Sequence, residues 1–239
     1  MTALFRRTLG RWAVSSDPSA WVALMNDAHQ NPSIYLHASA WAPLCGTTRR
    51  LLLRSAETNP LAARSLWEHV EQQRGTVLPL FDYAMSQSAQ WRLVMAATRR
   101  ELMTLALWCG ACVVHRQIAT AVDRESARRL RSRMGRALYA DVLQQAAPLG
   151  RCKGLTTSGL LTGRFLLDLG WNMLMAWNED PQGLGRRRIE ATAGPRRRPV
   201  EHYVGGGALA MTGAAEAEPA LLSFVARHGG MGEHEESTS

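Results

Sequence analysis

Residues 101–113 read ELMTLALWCGACV, and this stretch decides the fold of the chain. Leucine, methionine and alanine fill it, and all three residue types favour helix. On a helix, six of its small or apolar side chains share one face: Leu102, Leu105, Ala106, Cys109, Cys112 and Val113. The segment belongs to a mostly apolar stretch from about residue 88 to residue 121, which predicts one or two buried helices.

The sequence on both sides of this stretch carries further helical signals. Asp17-Pro18 and Asn59-Pro60 each place a helix-capping residue before a proline at the first helical position. Gly75 then provides a stop for the second of these helices. The helices predicted outside the central stretch cover residues 17–29, 61–73, 123–145 and 160–177.

The pattern as a whole predicts a mainly α protein, a single irregular helical domain with few or no short strands and a disordered C-terminal tail. Valine and isoleucine are scarce and convincing two-residue alternation is absent, so residues 187–192 are the best candidate for a strand. We expect residues 1–30 to form an N-terminal helical extension and residues 31–200 the helical core. Residues 201–239 are expected to form a Gly-rich, acidic tail with one short helix at 218–227.

The charge of the chain is strongly biased. It has 28 Lys and Arg against 20 Asp and Glu, and residues 1–200 alone have 27 basic against 14 acidic residues. Such a balance predicts an acidic partner: a protein surface, nucleic acid or an anionic membrane surface. The longest apolar stretch carries a polar stripe of Arg164, Asp168 and Asn172, in which the first two can pair. We therefore expect a soluble protein.

The motif Trp108-Cys109-Gly110-Ala111-Cys112 resembles the Trp-Cys-Gly-x-Cys of thioredoxin-like oxidoreductases. That chemistry needs a strand before the motif and a helix that begins at it, whereas residues 101–107 already look helical. Cys109 and Cys112 are therefore expected to be buried core residues. His115 lies about 120° around the helix from Cys109, so these side chains cannot converge on one metal ion. No catalytic, metal or cofactor-binding residue is predicted.

The arginines are the remaining candidates for function. On the predicted helix 123–145 they flank a buried stripe of Ala127, Leu130, Met134 and Leu138. One side carries Arg124, Arg128 and Arg131; the other carries Arg129, Arg133 and Arg136. These flanks can be either a solvated face or a docking surface. Two further clusters, Arg186–Arg188 and Arg196–Arg198, lie in loop-like sequence. The predicted partner-binding residues are Arg124, Arg128, Arg131, Arg186, Arg187 and Arg188.

Three segments resemble one family, the SctK (YscK/PscK-like) accessory proteins of the type III secretion sorting platform. The first is Asn31-Pro32-Ser33-Ile34-Tyr35-Leu36-His37 with Trp41, Pro43 and Leu44, similar to the Pro-x-x-Tyr-Leu-His segment of that family. The second resembles its leucine-rich helix pair and consists of Leu102 to Leu107, Gly110, His115, Ile118, Leu130, Gly135 and Leu138. The third resembles its closing helix and Pro-to-Arg segment and consists of Leu174 to Trp177, Asp180-Pro181-Gln182 and the arginine run that ends at Arg188.

The resemblance implies a helical, non-enzymatic, cytoplasmic protein that needs no cofactor and acts at the cytoplasmic face of the inner membrane. It implies two partners, the cytoplasmic domain of the inner-membrane ring protein SctD and the pod protein SctQ. Through SctQ the protein would connect indirectly to SctL and the export ATPase, without binding nucleic acid and without inserting into the membrane. Two alternatives stay open: a thioredoxin-like thiol-disulfide oxidoreductase acting through Cys109 and Cys112, and a basic helical nucleic-acid-binding protein.

Overall fold

The structure is a computed structural model that describes residues 18–41, 55, 59–75, 81–119, 124–144, 149–152, 162–194, 209–211 and 213–228. Within these residues the chain is almost entirely helical, which confirms the predicted mainly α fold. The helices are α1 (Pro18–Gln30), α2 (Pro32–Tyr35), a 3-10 helix (Ala38–Trp41), α3 (Pro60–Arg74), α4 (Phe81–Ser86), α5 (Ala89–Ala96), α6 (Arg99–Val113), α7 (His115–Ala119), α8 (Arg124–Met134), α9 (Arg136–Gln144), α10 (Gly163–Trp177), α11 (Leu184–Ala193) and α12 (Ala214–His228). Two short strands are β1 (Gly150–Cys152) and β2 (Leu209–Met211).

The chain divides into two compact units. The first unit contains Met1–Leu102, Asn178–Pro195 and Glu218–Ser239, and the second contains Met103–Trp177 and Arg196–Ala217. The chain passes from one unit to the other within α6 and again within α12. Helix α1 and most of α12 belong to the first unit, whereas α8, α9 and α10 belong to the second.

Helix α3 begins and ends at the residues that the sequence indicated. The side chain of Asn59 accepts a hydrogen bond from the amide of Leu61 at 3.0 Å, so it caps the first turn. At the other end Gly75 adopts a positive φ of 75°, and its amide donates to the carbonyl of Glu71 at 2.8 Å. A positive φ suits glycine because it has no Cβ, so Gly75 ends the helix.

Two buried apolar clusters hold the first unit together. Helix α1 contacts both α3 and α4, and its apolar side chains enter both clusters. One cluster contains Ala28, Tyr35, Leu36, Ala40, Ala63, Leu66, Trp67, Val70 and Ala191. The other contains Trp21, Leu24, Ala84, Trp91, Met95, Ala96 and Leu184. The indole of Trp67 also donates to the carbonyl of Ala28 at 2.6 Å, which ties α3 to α1.

Residues 187–192 are helical, so the strand expected there was wrong. They form most of α11. Gly183, which adopts the left-handed conformation, precedes this helix, and Gly194 caps its end. Its apolar residues Leu184 and Ile189 are buried at 3% and 0% exposure. Burial of one helical face stabilises α11, and its arginines, glutamate and alanines are themselves good helix formers.

The single helix expected over residues 123–145 is instead two helices. Helix α8 ends at Met134 and α9 begins at Arg136, with Gly135 between them at a φ of +82°. The Gly135 amide still donates to the carbonyl of Arg131 at 3.0 Å. The periodicity of apolar residues does not reveal this break, because the spacing continues through it. Only the backbone conformation of Gly135 departs from that of a helix.

Helices α6 and α10 approach each other closely within the second unit. A Cβ added at Gly110 would lie 1.9 Å from the carbonyl oxygen of Leu166, and one added at Gly170 would lie 1.7 Å from that of Ala106. No real side chain fits at such distances, so glycine is required at both positions. The glycine of the Trp-Cys-Gly-Ala-Cys motif is therefore a helix-packing residue.

The polar stripe predicted along α10 is confirmed. Arg164 pairs with Asp168 at 3.0 Å, and the Asp168 side chain is only 2% exposed. The side-chain amide of Asn172 donates to the backbone carbonyl of Asp168 at 2.6 Å. Among the helices of the described residues, none combines the length and the apolar character needed to cross a membrane.

The C-terminal part of the chain contributes more to the fold than the sequence suggested. Strand β2 pairs with β1 in antiparallel register, and the short helix expected near 218–227 is confirmed as α12. Helix α12 buries Leu221 and Phe224, and Glu218 accepts a hydrogen bond at 3.0 Å from the Gln90 amide in the first turn of α5. Residues 209–211 and 213–228 therefore belong to the folded part of the chain, and residues 229–239, at the end of the predicted disordered tail, lie outside the described residues.

Candidate docking surfaces

Helix α8 exposes a dense set of arginines. Its eleven residues contain five arginines and one acid, Glu125. Leu130 and Met134 face the protein interior at 1% and 7% exposure. The arginine side chains of α8 that the structure describes are all exposed: Arg128, Arg129, Arg131 and Arg133. Arg124 lies in the first turn of the same helix.

The arginines lie on two sides of the buried stripe. At 100° per residue, the set Arg124, Arg128 and Arg131 follows one edge of the stripe, and we call it the first flank. Arg129 and Arg133 follow the other edge, and we call them the second flank. The break at Gly135 places Arg136, which is also exposed, on α9, so it does not extend the second flank as the sequence suggested.

The predicted partner-binding run Arg186–Arg188 is not an exposed loop, so that part of the prediction was wrong. The run lies in α11, where only Arg186 is exposed, and its guanidinium pairs with Glu190 at 3.0 Å. Arg187 is half-buried beside Gly75, where an added Cβ would lie 3.7 Å from its Nε. Arg188 is fully buried at 0% exposure and cannot contact a partner from this position. The cluster Arg196–Arg198 lies outside the described residues.

Arg188 instead connects three segments of the first unit. Its guanidinium donates to the carbonyls of Tyr35 at 2.8 Å and Ala97 at 2.7 Å, and to the Thr192 hydroxyl at 2.8 Å. It also lies 5.6 Å from the centre of the Tyr35 ring, a cation–π arrangement. No carboxylate is among these partners. Burial lowers the pKa of Arg188 to about 10, because the charged form loses its hydration.

The segment Pro32–His37 lies next to this buried guanidinium and contacts it through Tyr35. The Tyr35 hydroxyl donates to Asp27 at 2.5 Å, and burial followed by this hydrogen bond raises the pKa of Tyr35 above its ordinary value. The His37 amide donates to the carbonyl of Ala191 at 3.0 Å, next to the arginine's helix. Residues 35–37 and 188–192 therefore meet at one buried site, where their contacts hold the first unit together.

Asp180 organises a second polar cluster that the sequence analysis did not identify. Its carboxylate accepts hydrogen bonds from the Tyr83 hydroxyl at 2.6 Å, the Gly185 amide at 2.7 Å and the Trp91 indole at 3.2 Å. Burial alone would raise the pKa of Asp180, but these donors lower it below its ordinary value. The available signal was an aspartate before a Pro-x-Gly turn, a position at which aspartate commonly binds backbone amides.

The Trp-Cys-Gly-Ala-Cys motif lacks the setting that thiol-disulfide chemistry requires. It lies within the continuous helix α6, whereas a reactive motif of this type begins a helix after a strand. Cys109 and Cys112 are both buried free cysteines. Burial raises the pKa of the Cys109 thiol far above its ordinary value, so the reactive thiolate is disfavoured. Among the described residues no group of three His, Cys, Asp or Glu could hold a metal ion.

Comparison with known proteins adds no relative. The chain matches no protein-family model, no curated protein and no solved structure.

The excess positive charge is concentrated in one unit. By sequence, Met103–Trp177 and Arg196–Ala217 together contain 13 basic and 6 acidic residues, a net charge of +7. The first unit contains the other 15 basic and 14 acidic residues, a net charge of +1. Helix α8 belongs to the strongly basic second unit, so it is the best candidate in the described chain for contact with an acidic partner.

Proposed function

We propose that this protein is a non-enzymatic structural adaptor of the type III secretion sorting platform, located at the cytoplasmic face of the inner membrane. In this role it links the cytoplasmic domain of SctD to the pod protein SctQ, and through SctQ to SctL and the export ATPase. The partners come from the resemblance of three segments of the chain to the SctK family. The helical fold and the basic exposed face of α8 are compatible with such a role.

The observation that carries the proposal is the contact between Arg188 and Tyr35. Tyr35 lies within the first segment of the resemblance and Arg188 ends the third, and the two residues are separated by 153 positions in the sequence. A chance likeness of two short segments gives no reason for them to bind each other in a buried site. Their contact supports the view that the segments belong to one shared fold.

The burial of Arg188 makes α8, rather than the run Arg186–Arg188, the better candidate for partner binding. Because Arg188 is buried and Arg186 is paired with Glu190, the run Arg186–Arg188 is a weak candidate for partner binding. Exposed arginines remain on α8, where they add little to the stability of the chain itself. Opposite an acidic partner such charges speed association and help to specify the match. We assign the SctD contact to the first flank of α8.

The test is binding of the purified full chain to the SctD cytoplasmic domain and to SctQ separately, at low and moderate salt. The three arginines of the first flank are replaced with glutamate. We expect a nearly unchanged melting temperature and at least tenfold weaker binding to the SctD domain, about 1.4 kcal/mol.

A matched control replaces three exposed arginines of the first unit, Arg64, Arg100 and Arg227, with glutamate, so that the net charge changes equally. The control should retain most of the SctD affinity. If the wild-type chain binds neither SctD nor SctQ, the proposed function is wrong. If the first-flank variant folds and binds both partners as tightly as wild type, that face is only solvated.

A further inference from the structure

The two flanks of α8 are not equivalent, although the sequence presents them as similar rows of arginine. The second flank already has partners within the protein. Arg129 forms an ion pair with Glu125 one turn earlier on the same helix. The side-chain stem of Arg133 lies against α10, where a Cβ added at the buried Gly163 would be 3.3 Å from the Arg133 Cδ. The second flank therefore serves contacts inside the second unit.

Arg128 and Arg131 of the first flank have no such contacts within the described residues. Arg128 and Arg131 are exposed, and within the described residues neither forms a hydrogen bond or an ion pair through its side chain. They are separated by three positions, about 4.5 Å of rise along the helix, and Arg124 extends the row to about 10 Å. The only acid of α8, Glu125, lies between the two flanks around the helix and pairs with Arg129.

We propose that the first flank binds a cluster of carboxylates on an acidic protein surface, whereas the second flank does not take part in docking. This proposal rests on the proposed adaptor function, of which it specifies the contact. A planar guanidinium can bind a carboxylate with two parallel hydrogen bonds, so two arginines one helical turn apart recognise a pair of acidic side chains at matching spacing.

A protein partner fits this surface better than the other anionic partners. Leu130 and Met134 are buried, so α8 has no free apolar side to insert into a lipid surface. The sequence of α8 contains no aromatic residue on which a nucleic-acid base could stack. Exposed Glu125 would also repel phosphates laid across the helix. A short row of two or three arginines is small compared with the roughly 6–10 phosphate contacts of DNA-binding proteins.

Two double variants of the full chain test the difference between the flanks. Arg128→Gln with Arg131→Gln removes two charges from the first flank, and Arg129→Gln with Arg133→Gln removes two from the second. The net charge changes equally, so general electrostatic attraction falls equally in both. Binding is measured to the SctD cytoplasmic domain, to SctQ and to poly-L-glutamate, a carboxylate probe that does not depend on the identity of the partner.

We expect the first double variant to bind poly-L-glutamate and the SctD domain about tenfold more weakly, with an unchanged melting temperature. The second should lose no more than about twofold in affinity, with a small decrease in melting temperature because its contacts are internal. A third variant, Arg128→Lys with Arg131→Lys, keeps the charge and removes the planar fork. It should bind about threefold to fivefold more weakly than wild type.

Equal losses in the two Gln variants would overturn the assignment of the flank. Wild-type affinity in the Lys variant would overturn recognition by the guanidinium fork. Tighter binding to duplex DNA than to poly-L-glutamate, lost in the first Gln variant, would assign the flank to nucleic acid and also overturn the proposal. If poly-L-glutamate gives the expected difference but neither SctD nor SctQ binds wild type, the carboxylate site stands and the adaptor function fails.

Discussion

Replacement of Arg188 gives the sharpest test of how the first unit is held together. The native guanidinium satisfies the carbonyls of Tyr35 and Ala97 and the Thr192 hydroxyl, but its charge is buried without a carboxylate. Burial lowers its pKa to about 10, so the charge costs the folded state on the order of 3 kcal/mol. Hydrogen bonds and buried charge therefore oppose each other at this residue, and two substitutions separate them.

Arg188→Met removes both effects. It leaves the Ala97 carbonyl without its guanidinium donor, while the Tyr35 carbonyl keeps the Thr192 hydroxyl nearby at 3.2 Å. The lost hydrogen bonds cost about 1 kcal/mol each, or up to 3 kcal/mol for a stranded acceptor. Relief of the buried charge offsets about 3 kcal/mol of this, and the methionine still fills the space of the arginine stem. We expect a net loss of about 0–2 kcal/mol in the free energy of unfolding.

Arg188→Lys keeps the charge and loses the fork. A single ammonium cannot reach three acceptors that a planar group spans, so at least one charged hydrogen bond, worth about 1.5–3 kcal/mol, is lost with nothing regained. We therefore expect a loss of at least about 1.5–3 kcal/mol near pH 7, from the lost charged hydrogen bond alone. The chemically conservative change should therefore be the more harmful one.

The two variants also differ in their response to pH. A buried lysine has a folded-state pKa well below its unfolded value of about 10.4, so between the two values the unfolded state binds more protons. Stability of the lysine variant should therefore increase as the pH rises from about 7 to 10. The methionine variant has no proton at this site and provides the baseline for all other groups.

The measurement is urea unfolding followed by circular dichroism, carried out for wild type and both variants at pH 6.5, 7.5 and 9. The reasoning is refuted if the methionine variant is less stable than the lysine variant at pH 6.5. It is also refuted if the difference between them does not shrink as the pH rises.

Three further predictions follow from other parts of the structure. Replacing Cys109 and Cys112 with alanine should cost about 1–2 kcal/mol through lost burial, and insulin-reduction activity in wild type that disappears in this variant would contradict the core assignment. Deletion of residues 229–239 should leave the melting temperature unchanged, and limited proteolysis of the full chain should give a product of the same length. Deletion of residues 213–239 should lower the melting temperature by several degrees, because it removes α12 from the core. Equal melting temperatures of the two deletion variants would contradict this. Gly170→Ala should destabilise by at least about 3 kcal/mol, since its Cβ would collide with a backbone carbonyl of α6, and a variant with wild-type stability would show that the helices are farther apart.

The helices were predictable because their signals are local. The Asn59 cap, the Pro60 start and the Gly75 stop all act within one turn, and the structure confirms them. The break at Gly135 was not predictable, since glycine is often tolerated inside a helix and nothing in the apolar spacing distinguishes a glycine at positive φ. Residues 187–192 were assigned to a strand although their arginines, glutamate and alanine favour helix, and the buried Leu184 and Ile189 add tertiary contacts that the local sequence does not show.

The candidate docking surface was predicted in part. Periodicity alone placed the arginines of α8 on the two sides of a buried stripe, and the structure agrees for Arg128, Arg129, Arg131 and Arg133. It could not reveal that Arg188 is buried, because two of its acceptors are 153 and 91 residues away in the sequence. An arginine run looks the same whether it faces water or a set of distant carbonyls, so only the tertiary contacts distinguish the two.

The position of Arg188 also sets an order of events during synthesis. At about 5–20 residues per second, a ribosome needs about 8–30 s to travel the 153 positions from Tyr35 to Arg188. Until Arg188 is made, the carbonyls of Tyr35 and Ala97 have no guanidinium to bind, and Glu218, which accepts from the Gln90 amide, is made later still. The N-terminal part of the first unit therefore cannot complete its buried contacts until α11 and α12 have been synthesised, and some of its apolar surface stays exposed until then. A nascent chain of this kind is a natural client for a holding chaperone, and slowing translation between residues 100 and 188 should increase its aggregation.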